Sequence, residues 1–189
     1  MGKTEKPDPG KVIAVCGLKN SGKTTLIERL IRELSARGLR TAVIKHDGHD
    51  FACDVPGTDS DRFIQAGAAG AAVFSASQMF VRKRLDEARR NEERRNEARR
   101  NETAAAYAEM LCGYFPEADV ILIEGLKNSV LRKIEAVRKG IGTGPVSNPE
   151  GRVLVVTDIP EAERQFKEPA AGFDELDRIL EAVLKGRNA

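Results

Sequence analysis

Two stretches of this chain are apolar at every position: Val12-Ile13-Ala14-Val15-Cys16, closed by Gly17, and Val120-Ile121-Leu122-Ile123, closed by Glu124-Gly125. A strand with one wet face alternates apolar and polar residues, whereas an unbroken apolar run suits a parallel strand covered on both faces. Val153–Val156 repeats the pattern, and Thr41–Lys45 and Ile134–Val137 carry it with polar interruptions. Between the first two of these strands in the chain, Leu26, Ile27, Leu30, Ile31 and Leu34 recur at helical spacing before Gly38, which predicts a helix over about 22–37. Phe173, Leu176, Ile179, Leu180, Val183 and Leu184 predict a closing helix in the same way. Short strands are expected at Ala71–Phe74 and Gln78–Val81, a short helix at about 58–66, and a long charged helix over about 82–112. Four glycines and two prolines mark 140–151 as a loop. Strands alternating with helices give an α/β fold of three layers around a mostly parallel central sheet.

The turn after the first strand carries chemistry. Gly17-Leu18-Lys19-Asn20-Ser21-Gly22-Lys23-Thr24 fits GxxxxGK[ST], and it lies between a buried strand and an amphipathic helix, where that motif works. Glycines let backbone N–H groups turn around a phosphate, the helix N-terminus adds its dipole, Lys23 brings a charge to the β/γ oxygens, and Thr24 offers a hydroxyl to Mg²⁺. The fold is therefore expected to be P-loop NTPase-like. Glu124 ends a second apolar strand, where a carboxylate faces the metal or its waters, so Lys23 and Glu124 are the candidate catalytic pair. Residues 45–60 collect two His, four Asp and a Cys in a spacing unlike a zinc cage. At the carboxyl end of a strand they read as a switch segment, with Lys45 or His46 meeting phosphate or substrate and Asp54 or Asp59 reaching the Mg²⁺ shell. Asp158 closes the last strand; a carboxylate there accepts hydrogen bonds from guanine, or caps a turn or helix, and the usual Asn-Lys-x-Asp guanine signature is absent.

Length and charge refine this picture. The 189 residues suit one nucleotide-binding domain over 11–189 behind a polar leader, 1–10, expected to be disordered. The formal charge of +2 is too small to imply nucleic-acid or membrane binding, and its excess is local. Residues 82–102 hold nine basic and six acidic side chains, including Arg-Arg-Asn-Glu three times at five-residue intervals, and leave −1 for the rest of the chain. Five residues advance a helix by a net 140° or so, so the repeat makes no apolar stripe and reads as a solvated helical extension. A docking surface for an anionic partner is the rival reading. Three cysteines without a CxxC pair argue against a disulfide framework, and no apolar run approaches the roughly 18 residues of a membrane span. The chain is read as cytoplasmic.

Gly-Leu-Lys-Asn-Ser-Gly-Lys-Thr-Thr-Leu-Ile, Val-Ile-Lys-His-Asp-Gly-His-Asp-Phe, Asp54-Val-Pro-Gly-Thr-Asp-Ser-Asp-Arg-Phe and Ile-Leu-Ile-Glu-Gly-Leu-Lys together resemble the molybdopterin-guanine dinucleotide biosynthesis protein B family, MobB. The resemblance runs from about Lys11 to Asp158. It implies a homodimer that binds GTP with Mg²⁺, hydrolyses it weakly, and assists a guanylyltransferase in joining GMP to molybdopterin, which is itself a possible ligand. It also implies that Gly17 to Thr25 hold the phosphates, that Thr24 and Glu124 serve Mg²⁺, and that the 54–62 loop faces the γ-phosphate or the pterin. The Arg-Arg-Asn-Glu repeat is not part of it. The same residues leave two other readings open, a small-molecule kinase using ATP and a non-catalytic adaptor switched by nucleotide.

Overall fold

Six strands form one parallel sheet in the order β2-β5-β1-β6-β7-β8, where β1 is Val12–Gly17, β2 Thr41–Lys45, β5 Val120–Glu124, β6 Lys133–Val137, β7 Arg152–Thr157 and β8 Ala170–Ala171. The computed structural model describes residues 8–47, 51–84 and 97–186. Alternate residues of β1 serve opposite layers. Ile13 and Val15 join Leu26, Leu30 and Leu34 of helix α1 (Lys23–Ala36) and Ile179 and Leu180 of helix α5 (Leu176–Leu184) in one core. Ala14 and Cys16 join Ile121, Ile123 and, from helix α3 (Glu97–Cys112), Ala108 and Cys112 in the other. Being covered on both faces is what the unbroken apolar runs required. Leu30 and Leu34 are fully buried, each worth about 1.5–3 kcal/mol of transfer free energy, and they fix α1, and with it the P-loop, against the sheet.

The chain divides into two compact units, Met1–His46 with Asn101–Ala189, and Asp47–Arg100. The second unit contains helix α2 (Asp59–Gln65) and an antiparallel pair, β3 (Gly70–Phe74) with β4 (Met79–Lys83). Here the sequence reading needs correction: the long helix does not begin at Arg82. Arg82 and Lys83 continue β4, because the Arg82 guanidinium is held 2.9 Å from the Asp61 carboxylate and 3.6 Å from that of Asp54. The helix is described from Glu97. The first Arg-Arg-Asn-Glu copy lies outside the described residues, as do all but the last residue of the second and residues 1–7 of the expected leader. Two short elements were not anticipated, helix α4 (Ala162–Gln165) and the two-residue β8, both too brief to carry a periodic pattern.

Candidate functional site

The loop joining β1 to α1 is built from backbone shapes that only certain residues adopt. Gly17 has φ +138°, and a Cβ on it would run into the Ala136 carbonyl oxygen of β6 and stand 2.6 Å from the Ser21 hydroxyl. Gly22, with φ +91°, caps α1, and a Cβ there would lie 2.8 Å from Arg138 Nη2. Gly17 needs glycine for conformation and for space, and Gly22 for its left-handed conformation, its close neighbour being the end of an arginine side chain. Inside the turn, Lys23 Nζ donates to the Leu18 carbonyl at 2.6 Å. Lys19, Asn20 and Thr25 are exposed around it.

Strand order brings the carboxylate to this loop. β5 neighbours β1 with Val15 opposite Glu124, so Glu124 emerges at the level of the P-loop. Thr24 Oγ1 donates to Glu124 at 3.2 and 3.3 Å, across 100 residues of sequence. On the other side of β5, Lys45 stands opposite Glu124 in register, and the His46 N–H donates to the Glu124 carbonyl at 2.9 Å. Lys23, Thr24, Glu124, Lys45 and His46 thus share one edge of the sheet, the carboxyl edge where ligands of open α/β sheets bind.

The residues present fit a nucleoside triphosphate with Mg²⁺. The Ser21 hydroxyl is 1% exposed and has no hydrogen-bond partner among the described residues, an orphaned polar atom inside a phosphate-type turn. The Gly17 and Gly22 positions form a cradle that a Cβ would fill. Thr24 and Glu124 supply the oxygen donors that a hard cation takes. Among the described residues, no three His, Cys, Asp or Glu side chains cluster as a metal cage.

Other expected residues are placed differently. Asp158 accepts from the Lys139 N–H at 2.6 Å and from Arg138 Nη1 at 3.2 Å, and these bonds hold its carboxyl below the usual range. In the second unit Asp59 is largely exposed and lies 3.6 Å from Arg62. Asp54 and Asp61 turn onto Arg82, and Asp61 is held below the usual carboxylate range first by the Gly57 N–H and then by Arg82. His49 and Asp50 lie outside the described residues.

Three features escaped sequence reading. Arg138 sits beside Gly22 with its guanidinium 4.0 Å over the Phe173 ring. Glu135, 1% exposed on β6, accepts from the Val146 and Ser147 N–H groups at 2.6 and 3.0 Å, from Ser147 Oγ at 2.5 Å and from Arg152 at 3.2 Å. Its fully buried neighbour Lys133 donates to the Asn148 and Glu150 carbonyls. Together they pin the 140–151 loop, whose Gly142 lies so close to Leu18 that a Cβ would stand 2.9 Å from its Cδ1. No spacing rule announces such pairs; a lone charge inside an apolar strand is the only signal.

The family model for molybdopterin guanine dinucleotide synthesis protein B matches residues 12–158. The chain belongs to the MobB family. It is 34% identical over 161 residues to the molybdopterin-guanine dinucleotide biosynthesis adapter protein of Escherichia coli K12, covering 84% of this chain and 82% of the relative. A probable adapter protein of the same name from Bacillus subtilis is 34% identical over 130 residues, covering 67% of this chain and 64% of that protein. The crystal structure of Bacillus subtilis MobB superposes with a TM-score of 0.60 at 25% identity, covering 91% and 97% of the two chains. The span matched to MobB contains the P-loop, Glu124, Arg138 and Asp158. No helix among the described residues of this MobB-family chain is long and apolar enough to cross a membrane.

Proposed function

We propose that this chain is a GTP-binding adapter of molybdopterin guanine dinucleotide biosynthesis, at most a slow Mg²⁺-dependent GTPase, acting in the cytoplasm beside the guanylyltransferase that joins GMP to molybdopterin. The observation that carries the reading is the Thr24–Glu124 pair at 3.2 Å beside Lys23 in a P-loop, within a chain of the MobB family.

The roles follow from chemistry. Lys23 exchanges the Leu18 carbonyl for the β- and γ-phosphate oxygens, a charge-assisted bond about twice as strong as a neutral one. The turn fixed by Gly17 and Gly22 surrounds the β-phosphate with N–H donors, and the Ser21 hydroxyl gains a partner. Thr24 and Glu124 would hold Mg²⁺, which would supply charge neutralisation to the bound phosphates. Glu124 also orients an attacking water, and Lys45 and His46, beside it on the sheet edge, meet phosphate or substrate. In the second unit, Asp59 remains a candidate for the metal shell and the 54–62 loop for the pterin. An adapter that is also a homodimer needs an association surface, and the β3–β4 pair offers one: Val73, Phe74, Met79 and Val81 are exposed apolar side chains on two strands.

Titrating the protein with GTP, with and without Mg²⁺, tests the reading. Saturable Mg²⁺-dependent binding is expected, weakened at least about tenfold in Lys23→Ala by loss of the charge-assisted contact. GTP turnover should stay well below the ~1 s⁻¹ of an ordinary kinase. An absence of saturable binding, or binding indifferent to Lys23, would refute it.

A further inference from the structure

A P-loop grips phosphates and is blind to the base, so base choice must come from another part of the sheet's carboxyl edge. Arg138 stands next to the P-loop on the β6 side, its guanidinium against Gly22, paired with Asp158 and stacked on Phe173. Past that pair, at the ends of β7 and β8, lies a cavity of about 480 Å³ lined by Thr157, Asp158, Glu161, Arg164, Gly172 and Glu175. Two side-chain links tie the cavity wall to the P-loop: Asp158, which lines it, binds the arginine that lies against Gly22, and Phe173, under that arginine, follows Gly172. Its size falls within the range of small-ligand sites.

Of the three carboxylates of this cavity, Glu161 is largely exposed and pairs with Arg164 at 3.4 Å, and the other two are committed in different directions. Asp158 is turned toward β6, one oxygen on the Lys139 N–H and the other on Arg138. Glu175 is held chiefly through Oε2, which accepts the Gly172 N–H at 2.5 Å, while Oε1 makes a long ion pair with Arg178 at 3.5 Å. A carboxylate fixed through one oxygen with lone pairs left on the other is a preorganised acceptor. Guanine presents N–H donors at ring N1 and at its 2-amine, whereas adenine has an acceptor at N1 and no polar group at C2.

Resting on the reading that the P-loop takes a nucleoside triphosphate, we propose that this cavity receives the purine base. Glu175 accepts from guanine's donors, and Asp158 is a positioning residue that holds Arg138 against the P-loop.

Calorimetric titration of the wild-type chain, Glu175→Gln and Asp158→Asn with GTP, XTP and ATP in Mg²⁺ tests this, with Lys23→Ala as the phosphate control and melting curves as the fold control. Glutamine keeps an oxygen for the Gly172 N–H and turns an amide donor toward the base, where it opposes guanine's 2-amine and suits the 2-oxo group of xanthine. Glu175→Gln should weaken GTP and strengthen XTP, each by about tenfold, so that their ratio moves about a hundredfold. Asp158→Asn should weaken all three nucleotides alike. A ratio unmoved in Glu175→Gln, or moved in Asp158→Asn instead, overturns the proposal, and so does a wild type that binds GTP and ATP equally. In each of those cases Lys23-dependent binding would leave the P-loop reading intact, whereas a wild type that binds none of the three sinks both.

Discussion

Cys16 and Gly17 are adjacent on β1 and answer to opposite demands. Gly17 must lack a side chain, while the Cys16 thiol fills the layer toward α3 and donates to the Gly125 carbonyl at 2.9 Å. Burial pushes this thiol up to about 12 from its ordinary 9.0. Between those values the folded chain keeps the proton and the unfolded chain releases it, so stability falls as pH rises, by up to about 1.4 kcal/mol per pH unit. Urea denaturation of wild type and Cys16→Ala from pH 7 to 10.5 should show the wild-type advantage shrinking above pH 9; a constant gap would exclude the effect. Cys53, exposed, should be alkylated in the native protein ahead of Cys16 and Cys112, both buried, as mass spectrometry would read. At this scale the motif residues were legible, since Gly17, Lys23 and Thr24 announce themselves by local spacing. Arg138 and Arg82 were not. Their partners Asp158, Asp54 and Asp61 lie 20 or more residues away, and Arg82 reads in sequence as the first residue of a charged run.

The β3–β4 pair is the element most at odds with isolation. Two strands alone are marginal in water, and this pair leaves Phe74 82% and Met79 63% exposed. In the proposed homodimer a second copy of the chain would cover this face. Phe74→Asp with Met79→Lys should therefore convert a dimer to a monomer in light scattering, with helical content preserved; an unchanged mass would remove the hairpin from the interface. The strands themselves were readable from Ala71–Phe74 and Gln78–Val81. Their extension through Lys83 was not, because Arg82 belongs to the strand by virtue of its two aspartates and not of any apolar period. α1 shows the opposite case, its stripe of Leu26, Leu30 and Leu34 mapping directly onto one core.

Across the whole molecule, the decisive fact is that β5 inserts between β1 and β2. Sequence order suggests a β1–α1–β2 unit, and in the sheet those two strands do not touch. The insertion carries Glu124 to Thr24 on one flank and to Lys45 and His46 on the other. A ligand held by parts so far apart in the chain should stabilise the fold as a unit. GTP with Mg²⁺ at a hundred times its Kd should add about 2.7 kcal/mol, raising Tm by roughly 5–10 °C for a chain of this size. Scanning calorimetry should find the full rise in wild type and no more than about half of it, roughly 1.4 kcal/mol, in Lys23→Ala, whose binding is at least about tenfold weaker; equal rises in both would remove Lys23 from the site.

The sequence by itself determined the buried strands, the helix behind the P-loop, the loop's glycine chemistry and the family, because each is written in neighbouring residues whose periodicity or spacing is a direct consequence of backbone geometry. Tertiary structure alone decided the strand order, the direct hydrogen bond between Thr24 and Glu124, which the resemblance had set at one metal, the turning of Asp158 onto Arg138 and the pinning of the 140–151 loop by Glu135 and Lys133. A buried or half-buried polar group must find its partner through space, and which partner it meets depends on how the strands are ordered, which no local pattern specifies.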